Sequence, residues 1–358
     1  MKSNSKTLGD IIKAVDERNS DEKTKEDLGI SINKEFMPSV ANIIGTDLSK
    51  YKLLRKSRFA FNSMHTGRDE RLPIALFKRD DIAIVSPAYF MFEIKSKDEV
   101  DEDYLMIWFQ RPEFDHVCWY MTDASVRGGL SWDDFCRISI ELPSIEEQRK
   151  IVHDYKVIID RIELLRSINE NLDSICKTEF KKMIKNSKCE KKLLCLLNNV
   201  VYGKGLLTTE LTDEGYPVYG GNGIIGKYSK YLYDKRMVII SCRGAASGKV
   251  MYSEAFSFIT SNSLVLEINN SKEYPFEFML FSCYQTDFKS KVSGSAQPQL
   301  TVDNLKDVEI NIPSNDNIQK FSKFANKCIE QICFNNKEID NMEKLQTLIL
   351  SKLSREVG

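Results

Sequence analysis

The sequence lacks long apolar runs, paired cysteine motifs and clustered histidines, and each absence argues against a class of protein. No stretch approaches the roughly 20 consecutive apolar residues that cross a bilayer, and residues 1–20 lack the apolar core of a secretory signal. The nine cysteines are scattered without a C-x-x-C pair, which argues against a disulfide framework and predicts a reducing cytoplasm. The three histidines, His65, His116 and His153, are isolated from one another, so we predict no metal site.

Motifs of catalysis are also missing. Residues 244–249 (GAASGK) do not have the spacing of a Walker A loop, and there is no G-x-S-x-G nucleophile motif or N/D-P-P-Y stretch of the kind that DNA amino-methyltransferases carry. Asp81, Glu93 and Lys95 loosely fit the carboxylate, carboxylate and lysine set of Mg²⁺-dependent nucleases. Charges beside two apolar strands explain the same residues. We therefore predict that this chain alone is not catalytic, and a nuclease stays as the enzyme-class alternative.

Residues 221–226 (GNGIIG) match the G-x-G-x-x-G fingerprint of dinucleotide-binding folds. That fingerprint requires a buried strand before it and a helix that opens on its last glycine. Here residues 215–219 are too short and too polar for a central parallel strand, and residues 227–234 have no apolar face at helical spacing. We predict instead tight turns between short strands, where glycine readily adopts a positive φ.

Positive charge is concentrated between residues 50 and 79. This stretch contains nine lysines and arginines, at 50, 52, 55, 56, 58, 68, 71, 78 and 79, against only Asp69 and Glu70. Because aromatic residues are interleaved with the charges, the composition is that of a phosphate-contacting surface. An ordinary solvated charged face has the same composition, so both interpretations stay open.

The chain repeats itself at a constant offset of 170 residues. Residues 129–144 (GLSWDDFCRISIELPS) align with residues 299–314 (QLTVDNLKDVEINIPS), and the match continues without a gap into the segments that follow. Such an offset indicates two copies of one structural plan.

Each copy is predicted to end in a long helix. In the first copy Ser144 and Glu147 form a capping-box pattern just after Pro143. Seam residues then recur at alternating steps of four and three, with one asparagine in each helix, as in a coiled coil whose polar seam residue fixes the register. The predicted seam is Ile151, Tyr155, Ile158, Ile162, Leu165, Asn169, Leu172 and Cys176 in the first helix and Phe321, Ala325, Cys328, Ile332, Asn335, Ile339 and Met342 in the second. We predict that the helices pair with each other; the alternative is that each packs on its own globular half.

The predicted fold class is α+β, with two globular mixed α/β domains separated by two long helices that form an antiparallel coiled coil, in a pseudo-two-fold internal repeat. The predicted boundaries are 1–143 for the first globular domain, 144–188 for the first helix, 189–313 for the second globular domain and 314–358 for the second helix. Strands are expected at 82–85, 89–92, 237–240 and 263–268, and short helices at 104–109 and 276–284. Outside the segment before each helix, the two globular sequences barely resemble each other. Two unlike domains on a rigid rod would suit the reading of two DNA segments separated by an unread spacer.

Residues 140–152 (IELPSIEEQRKIV) resemble the junction I-P-L-P-P-x-x-E-Q-x-x-I of type I restriction-modification specificity subunits, where a target-recognition domain meets the conserved helix. In the second half, residues 216–223 (YPVYGGNG), 226–228 (GKY), 239–245 (IISCRGA) and 294–300 (GSAQPQL) are similar to one common target-recognition-domain sequence of that family. The resemblance spans essentially the whole chain, and in the first half it rests on the junction and on residues 86–89 (SPAY). Residues 314–317 (SNDN) depart from the family pattern because they lack its E-Q pair.

The resemblance implies a non-catalytic subunit that binds a bipartite, asymmetric site in double-stranded DNA and docks two modification (methyltransferase) subunits. Two restriction subunits are expected to join the complex for cleavage. No cofactor is expected in this chain, since S-adenosylmethionine, Mg²⁺ and ATP would belong to the partner subunits, and no membrane is expected to take part. A coiled-coil scaffold whose domains bind proteins is the third alternative.

Basic, aromatic and amide side chains on or near loops are the expected DNA contacts, because they bind base edges and phosphates. In the first domain the candidates are Arg58, Asn62, His65, Arg68, Lys78, Arg79 and Arg127. In the second domain they are Lys204, Asn222, Lys227, Tyr228, Arg243, Lys249, Gln297 and Gln299. The outer helix faces, with Arg149, Lys150, Arg161, Arg166 and Glu170, are the candidate docking surface for partners.

Overall fold

The structure is a computed structural model that describes residues 5–43, 45–122, 129–294 and 297–355. At positions 65, 67, 68, 354 and 355 it describes the backbone only. The chain divides into two compact units, Met1–Leu164 with Glu338–Gly358, and Leu165–Lys337. Each unit holds one globular domain together with segments of two long helices.

The first globular domain is built on a four-stranded antiparallel sheet. The strands of the whole domain are β1 (Ser5–Thr7), β2 (Ile12–Ala14), β3 (Leu28–Ile30), β4 (Phe36–Pro38), β5 (Lys52–Leu54), β6 (Arg58–Phe61), β7 (Ile74–Phe77), β8 (Ala83–Val85), β9 (Phe90–Ile94) and β10 (Ser139–Glu141). Its helices are α1 (Leu8–Ile11), α2 (Thr66–Asp69), α3 (Glu102–Phe109), α4 (Pro112–Tyr120) and α5 (Trp132–Arg137). The main sheet has the order β2-β9-β6-β7, and β1 pairs with β10, β3 with β4 and β5 with β8.

Strand β6 shows why this sheet forms. Its side chains alternate between two faces, and both faces are covered, so every residue of the strand is buried. Phe59 and Phe61 pack into the cluster that includes α3, and the ring of Phe59 stacks on Phe92 of β9 with centroids 4.8 Å apart. Ala60 packs on the other face, in a smaller cluster with Leu54 and Phe77.

The second globular domain contains a sheet of the same order. Its strands are β11 (Glu190–Leu193), β12 (Asn198–Tyr202), β13 (Tyr216–Gly220), β14 (Gly223–Tyr228), β15 (Val238–Ser241), β16 (Val250–Tyr252), β17 (Phe258–Ile259), β18 (Ser263–Ile268) and β19 (Glu309–Ile312), with helices α7 (Leu194–Leu197) and α8 (Phe276–Tyr284), here numbered after the first long helix, α6 (Ile145–Lys185). The four-stranded sheet runs β12-β18-β15-β16, β11 pairs with β19, and β13 is the middle strand of a smaller sheet, β14-β13-β17.

The repeat therefore extends well beyond the segment that the sequences share. In the first domain Leu8 N donates to Ile138 O over 2.8 Å, and in the second Leu194 N donates to Val308 O over the same distance. These acceptors are 170 residues apart, which is the offset of the sequence repeat. What differs is the set of strands inserted between those of each main sheet. The first domain inserts β3, β4 and β5 after β2 and inserts β8 before β9, whereas the second inserts β13 and β14 after β12 and inserts β17 before β18.

The two long helices are α6 and α9 (Asn315–Arg355), and both their first and last residues are 170 positions apart. In the first unit Gln346 Nε2 donates to Tyr155 Oη over 2.7 Å, and Arg161 bonds Glu338 over 2.9 Å. A later residue of α6 thus meets an earlier residue of α9, so the helices are antiparallel. The α+β fold class with paired antiparallel helices is confirmed.

The second unit shows the same antiparallel order. Asn335 Nδ2 donates to Asn169 Oδ1 over 2.7 Å, and Asn317 Nδ2 donates to Ser187 Oγ over 2.9 Å. All of the predicted seam residues are buried or half-buried. The helices also pack on the globular domains, for example through Phe180, whose ring lies 5.8 Å from that of Phe278 in α8. Pairing and packing on a globular half therefore coexist.

The capping box predicted at the start of α6 is confirmed. Ser144 N donates to the Glu147 carboxylate over 3.1 Å, and Glu147 N donates back to Ser144 Oγ over 3.3 Å. The following residue, Gln148, is fully buried and bonds Asp101 N, Glu99 O and Pro143 O. Among the described residues no helix is long and apolar enough to cross a membrane.

Candidate nucleic-acid interface

One edge of the four-stranded sheet in the second domain gathers loops from distant parts of the sequence. Strands β12 and β15 end at this edge and β16 and β18 begin there, because neighbours in the sheet are antiparallel. Cys242 N donates to Asn262 O over 2.9 Å, and Ser261 N donates to Lys204 O over 3.0 Å. These bonds hold the loops that follow β12 and β15 beside the loop that precedes β18.

The tip of the β13–β14 hairpin lies at the same edge. At its turn, Gly223 has a φ of 135°, and a Cβ on Gly220 would lie 2.8 Å from Cγ2 of Ile225. A Cβ on Gly221 would lie 3.1 Å from Ser241 Oγ, so the tip rests on the end of β15. Residues 223–228 form an antiparallel strand. The prediction of a tight turn between strands, and not of a dinucleotide fingerprint, is confirmed.

Residues 215–219 are predicted to be too short and too polar for a central parallel strand, and the structure places most of them in a middle strand of mixed pairing. This strand is β13, the middle one of three, and Val218 and Tyr219 pair in parallel with β17. Tyr219 packs with Ile239 and Ile259, and its hydroxyl accepts a hydrogen bond from Glu254 N over 3.1 Å. The polar atom is thus satisfied while the ring is buried, and this burial raises the pKa of Tyr219 to about 12.

Asn222 at the hairpin tip is in direct contact with Lys249, which immediately precedes β16. Lys249 Nζ donates to Asn222 Oδ1 over 2.6 Å and lies 3.4 Å from the main-chain oxygen of Asn222. Both residues are exposed. The contact joins the smaller sheet to the main sheet at a surface that solvent reaches.

The loop before Leu300 completes the cluster. Gly244 N donates to Pro298 O over 3.0 Å, and the backbones of Arg243 and Gln299 form a β-bridge. Burial raises the pKa of the Cys242 thiol, and the neighbouring charge of Arg243 opposes that shift. The structure therefore brings together the predicted residues Asn222, Arg243, Lys249, Gln297 and Gln299, with Lys204 at the same sheet edge.

Two candidates of the second domain lie away from this edge. Lys227 is exposed, and its main-chain oxygen accepts from Thr212 N over 2.8 Å. Tyr228 is half-buried, with its ring against Phe258 at a centroid distance of 5.4 Å. Both belong to the base of the hairpin and not to its tip.

Sequence reasoning missed two apolar residues beside the tip. Ile224 is 59% exposed and Ile225 is 48% exposed. Successive residues of a strand point to opposite faces, so adjacent isoleucines on an edge strand cannot both enter one core. That pattern could have identified an exposed apolar contact next to Asn222.

The corresponding edge of the first domain carries the loop between β6 and β7, residues 62–73. Asn62 N donates to Pro73 O over 2.9 Å across the base of this loop, and Asn62 Oδ1 accepts from Met64 N over 3.1 Å. His65 and Arg68 belong to the same loop, but their side chains are outside the described part of the structure. Arg127 also lies outside the described residues.

Arg58 is placed away from this loop and is buried. It forms salt bridges with Glu93 over 2.9 Å and with Glu17 over 2.7 Å, and it donates a hydrogen bond to the main-chain oxygen of Leu53 over 2.8 Å. The guanidinium of Arg55, together with that of Arg58, lowers the pKa of Glu17 to about 2. Since its guanidinium is committed to two carboxylates inside the domain, we assign Arg58 a structural role and leave it out of the proposed DNA surface.

Lys78 and Arg79 lie at the end of the β6–β7 hairpin opposite Asn62. Lys78 pairs with Asp103 over 2.5 Å, and Arg79 pairs with Glu26 over 2.8 Å and with Asp81 over 3.0 Å. The structure therefore does not bring them together with Asn62.

Other members of the basic stretch are also paired with acids. Arg55 bonds Glu17 over 2.6 Å, and Lys56 bonds Asp80 over 2.7 Å. These carboxylates lie outside residues 50–79, so the local charge count overstated the free positive charge. The prediction of a phosphate-contacting surface is therefore restricted mainly to the loop 62–73, because other charges of the stretch belong to an ion-paired face.

The first domain also contains a polar cavity of about 570 Å³ that the sequence analysis did not anticipate. It is lined by Lys34, Arg71, Asp115 and His116, among others. Lys34 is buried, and its Nζ donates to Asp115 Oδ1 over 2.8 Å. Burial lowers the pKa of Lys34, and the Asp115 carboxylate opposes this shift. No local pattern joins residues 34 and 115, and only the fold places them together.

The three residues of the nuclease alternative do not converge on one site. Asp81 pairs with Arg79, Glu93 pairs with Arg58, and Lys95 Nζ donates to Gly9 O over 2.7 Å. Each side chain is thus engaged in a different direction. Within the part of the chain that the structure describes, no group of three or more His, Cys, Asp or Glu residues is arranged to hold a metal ion.

The outer face of α6 carries apolar as well as charged side chains. Val157, Leu164, Ile168 and Ile175 are exposed, at steps of seven, four and seven residues. Of the charged docking candidates, Arg161 pairs with Glu338 in α9. Two of the apolar positions recur in α9 at the repeat offset, since Leu164 corresponds to Phe334 and Ile175 to Leu345, both exposed.

Residues 196–344 match the family model described as "Type I restriction modification DNA specificity domain". This part of the chain is therefore similar to the DNA specificity domains of type I restriction-modification systems. A segment of 99 residues, 28% of the chain, is 28% identical to the type I restriction enzyme EcoprrI specificity subunit of Escherichia coli. Another of 103 residues, 27% of the chain, is 30% identical to the putative type I specificity subunit S.MpnORF285P of Mycoplasma pneumoniae. The aligned segments span only 24% and 33% of those relatives' own lengths.

A solved structure of a type I S subunit supports the fold assignment for this chain. The type I restriction-modification S subunit of M. genitalium superposes with a TM-score of 0.66 at 16% identity, covering 98% of this chain and 95% of that one. At this level of identity the likeness concerns the fold, which is the duplicated α+β arrangement with paired long helices.

Proposed function

We propose that this chain binds a bipartite, asymmetric site in double-stranded DNA, each globular domain contacting one half through the loops at its sheet edge. The observation that carries the proposal is the repeated sheet order, β2-β9-β6-β7 and β12-β18-β15-β16, with unlike loops at the same edge. Equivalent scaffolds with different loops would contact DNA in the same manner and read different bases. The chain itself supplies no catalytic group in this proposal.

The composition of the second-domain edge supports DNA contact. Exposed Arg243 and Lys249 supply positive charge for phosphates, and Asn222 and Gln297 supply amides for base edges. The glycines of the hairpin tip permit close backbone approach. The exposed pair Ile224 and Ile225 offers the apolar surface that thymine methyl groups contact.

We propose that the outer faces of α6 and α9 dock two methyltransferase subunits. The exposed apolar positions Leu164 and Ile175 recur as Phe334 and Leu345, so the chain carries two related surfaces. Two equivalent surfaces favour two copies of one partner. Two restriction subunits would join this complex for cleavage, and S-adenosylmethionine, Mg²⁺ and ATP would bind to the partners.

The deciding experiment is co-expression of this chain with its methyltransferase subunit, followed by sequencing of the host DNA for methylated bases. We expect one bipartite methylated motif that disappears when this chain is omitted. A stable complex that yields no motif would contradict DNA recognition and favour the protein-binding scaffold. Cleavage by the purified chain with Mg²⁺ alone, lost in Glu93→Ala, would restore the nuclease alternative.

Salt dependence tests the contact surface directly. For the assembled complex, we expect log K for DNA to fall linearly with log salt concentration, and Arg243→Ala to reduce that slope by about one if Arg243 contacts a phosphate. The matched control is Lys306→Ala, an exposed lysine beside β19 that pairs with Asp303. It should leave the slope unchanged.

Docking is tested by placing a charge among the exposed apolar side chains of α6. Ile168→Asp should weaken co-purification with the methyltransferase subunit, because Ile168 is exposed on the proposed surface. Ser167→Asp adds the same charge at the neighbouring exposed position and serves as the control. Equal binding by both variants would exclude this face as the docking surface.

A further inference from the structure

The contact between Lys249 and Asn222 gives the hairpin tip a defined hydrogen-bonding polarity. An ammonium group carries only donors, whereas an amide offers one accepting oxygen and one donating nitrogen. Lys249 Nζ lies 2.6 Å from Oδ1 of Asn222. The reverse orientation would set the NH₂ group against the ammonium, so charge decides that Oδ1 faces the lysine and Nδ2 faces away.

The tip is held where a nucleic acid could reach it. Gly221 packs against Ser241 at the end of β15, and the side chain of Ile225 packs against Gly220. A Cβ at Gly223 would meet no atom within 4 Å among the described residues, so the outer side of the turn faces open space. A two-stranded β-ribbon of this kind fits the width of the major groove.

We propose that Asn222 and Lys249 act as one composite hydrogen-bond donor that reads guanine in the major groove, with Lys249 as the positioning residue for the Asn222 amide. The inference rests on the proposed function and adds a base preference to it. Guanine presents two acceptors, N7 and O6, at its major-groove edge, and Nδ2 of Asn222 with the remaining ammonium protons of Lys249 offers two matching donors.

The lysine reverses the preference that an asparagine has by itself. A lone asparagine suits adenine, because its oxygen accepts from N6 while its nitrogen donates to N7. Here Oδ1 already accepts from an ammonium, and the adenine amino group would bring a competing donor to the same oxygen. The composite donor therefore favours guanine over adenine at one position of the half-site.

The test uses the full chain in complex with its methyltransferase subunit and a library of DNA sites read out by methylation sequencing. Wild type should require guanine at one position of the half-site that the second domain contacts. Lys249→Gln removes the charge that orients the amide, and we expect the preference for guanine over adenine at that position to fall about tenfold or more. Lys249→Arg keeps a cation with donors only and should retain guanine.

Two further variants separate base reading from phosphate contact. Asn222→Asp replaces the donating nitrogen by an oxygen and should also reduce the guanine preference. Lys306→Gln removes an exposed lysine that pairs with Asp303 away from the hairpin and should change the motif at no position. A uniform loss of methylation over all sequences in Lys249→Gln would assign the lysine to a phosphate and overturn the inference.

Different experimental outcomes would contradict this inference and the proposed function. If wild type yields a bipartite motif but Lys249→Gln changes no position, or changes one that is not guanine, only the guanine reading is overturned. If wild type yields no motif, the proposed function itself fails. Thermal unfolding of each variant complex confirms that the protein measured is folded.

Discussion

Asn335 Nδ2 donates a hydrogen bond to Asn169 Oδ1 over 2.7 Å, and so the one asparagine in each predicted helix seam pairs with the other. Asn169 Nδ2 donates in turn to Asn336 Oδ1 over 2.9 Å, and Gln331 Nε2 donates to Asn335 Oδ1 over 2.8 Å. Asn335 is 2% exposed. This pairing of a buried amide with a half-buried one favours one register of the helices, because a shift would break the bond between them and leave the buried Nδ2 of Asn335 without its acceptor.

Replacing one member of this pair should therefore cost more than replacing both. We expect Asn169→Leu to lower the free energy of unfolding by about 1–3 kcal/mol, since it removes a partner of a buried amide. The double variant Asn169→Leu with Asn335→Leu should recover much of that loss. Denaturant unfolding measures both, with exposed Lys337→Leu as the control for an added leucine. A double variant less stable than the single one would contradict this account.

Gln148 and Ile318 occupy the same position of the repeat with opposite chemistry. Gln148 is fully buried and serves three main-chain groups in the first unit, whereas Ile318 is 1% exposed within the apolar core of the second. We expect Gln148→Leu to destabilise by about 1–3 kcal/mol because it leaves buried polar groups unsatisfied, and Ile318→Gln to destabilise because it buries an unpaired amide. Thermal unfolding tests both. Tolerance of either swap would show that the two helix starts are interchangeable.

Substitutions in the ion pairs of residues 50–79 should distinguish a buried structural charge from an exposed surface charge. Arg58→Met leaves Glu17 and Glu93 without their shared cation, and because both acids keep some solvent exposure we expect a loss of about 2–3 kcal/mol, below the range for a fully buried pair. Lys56→Met breaks an exposed pair with Asp80 and should cost less than about 1 kcal/mol. Neither change should alter the methylated motif. A changed motif in a folded Arg58→Met complex would return Arg58 to the DNA surface.

Glu17 should make the first domain sensitive to acid. Its pKa is lowered from 4.5 to about 2 in the folded chain by Arg55 and Arg58. A carboxyl group whose folded pKa is depressed contributes stability above its unfolded pKa, and that contribution is lost as pH falls from about 4.5 towards about 2. Glu17→Gln should therefore flatten the decline of stability over this range. Urea midpoints of both proteins at several pH values measure it, and parallel curves would contradict the pairing.

Local sequence patterns determined the elements whose physics is local. The capping residues Ser144 and Glu147 bond as their spacing predicts, the offset of 170 residues recurs in the bounds of α6 and α9, and the helix at Phe276–Tyr284 and the strand at Ser263–Ile268 have their predicted bounds. Helical spacing, strand propensity and capping depend on neighbours within a few residues, so they are readable along the chain.

Only the tertiary structure decided which polar side chains stay free and which are used internally. Arg58 looked like its neighbours in a basic stretch, yet its partner Glu93 lies 35 residues away in sequence. The link from Asn222 to Lys249 spans 27 residues and depends on two sheets meeting at one edge. Likewise, the shared sheet order of the two domains follows from strand pairing and buried volume, not from residue identity, so dissimilar sequences could satisfy it. Pairings between distant residues are set by packing, which is why the sequence alone could name the candidate residues but could not assemble the site.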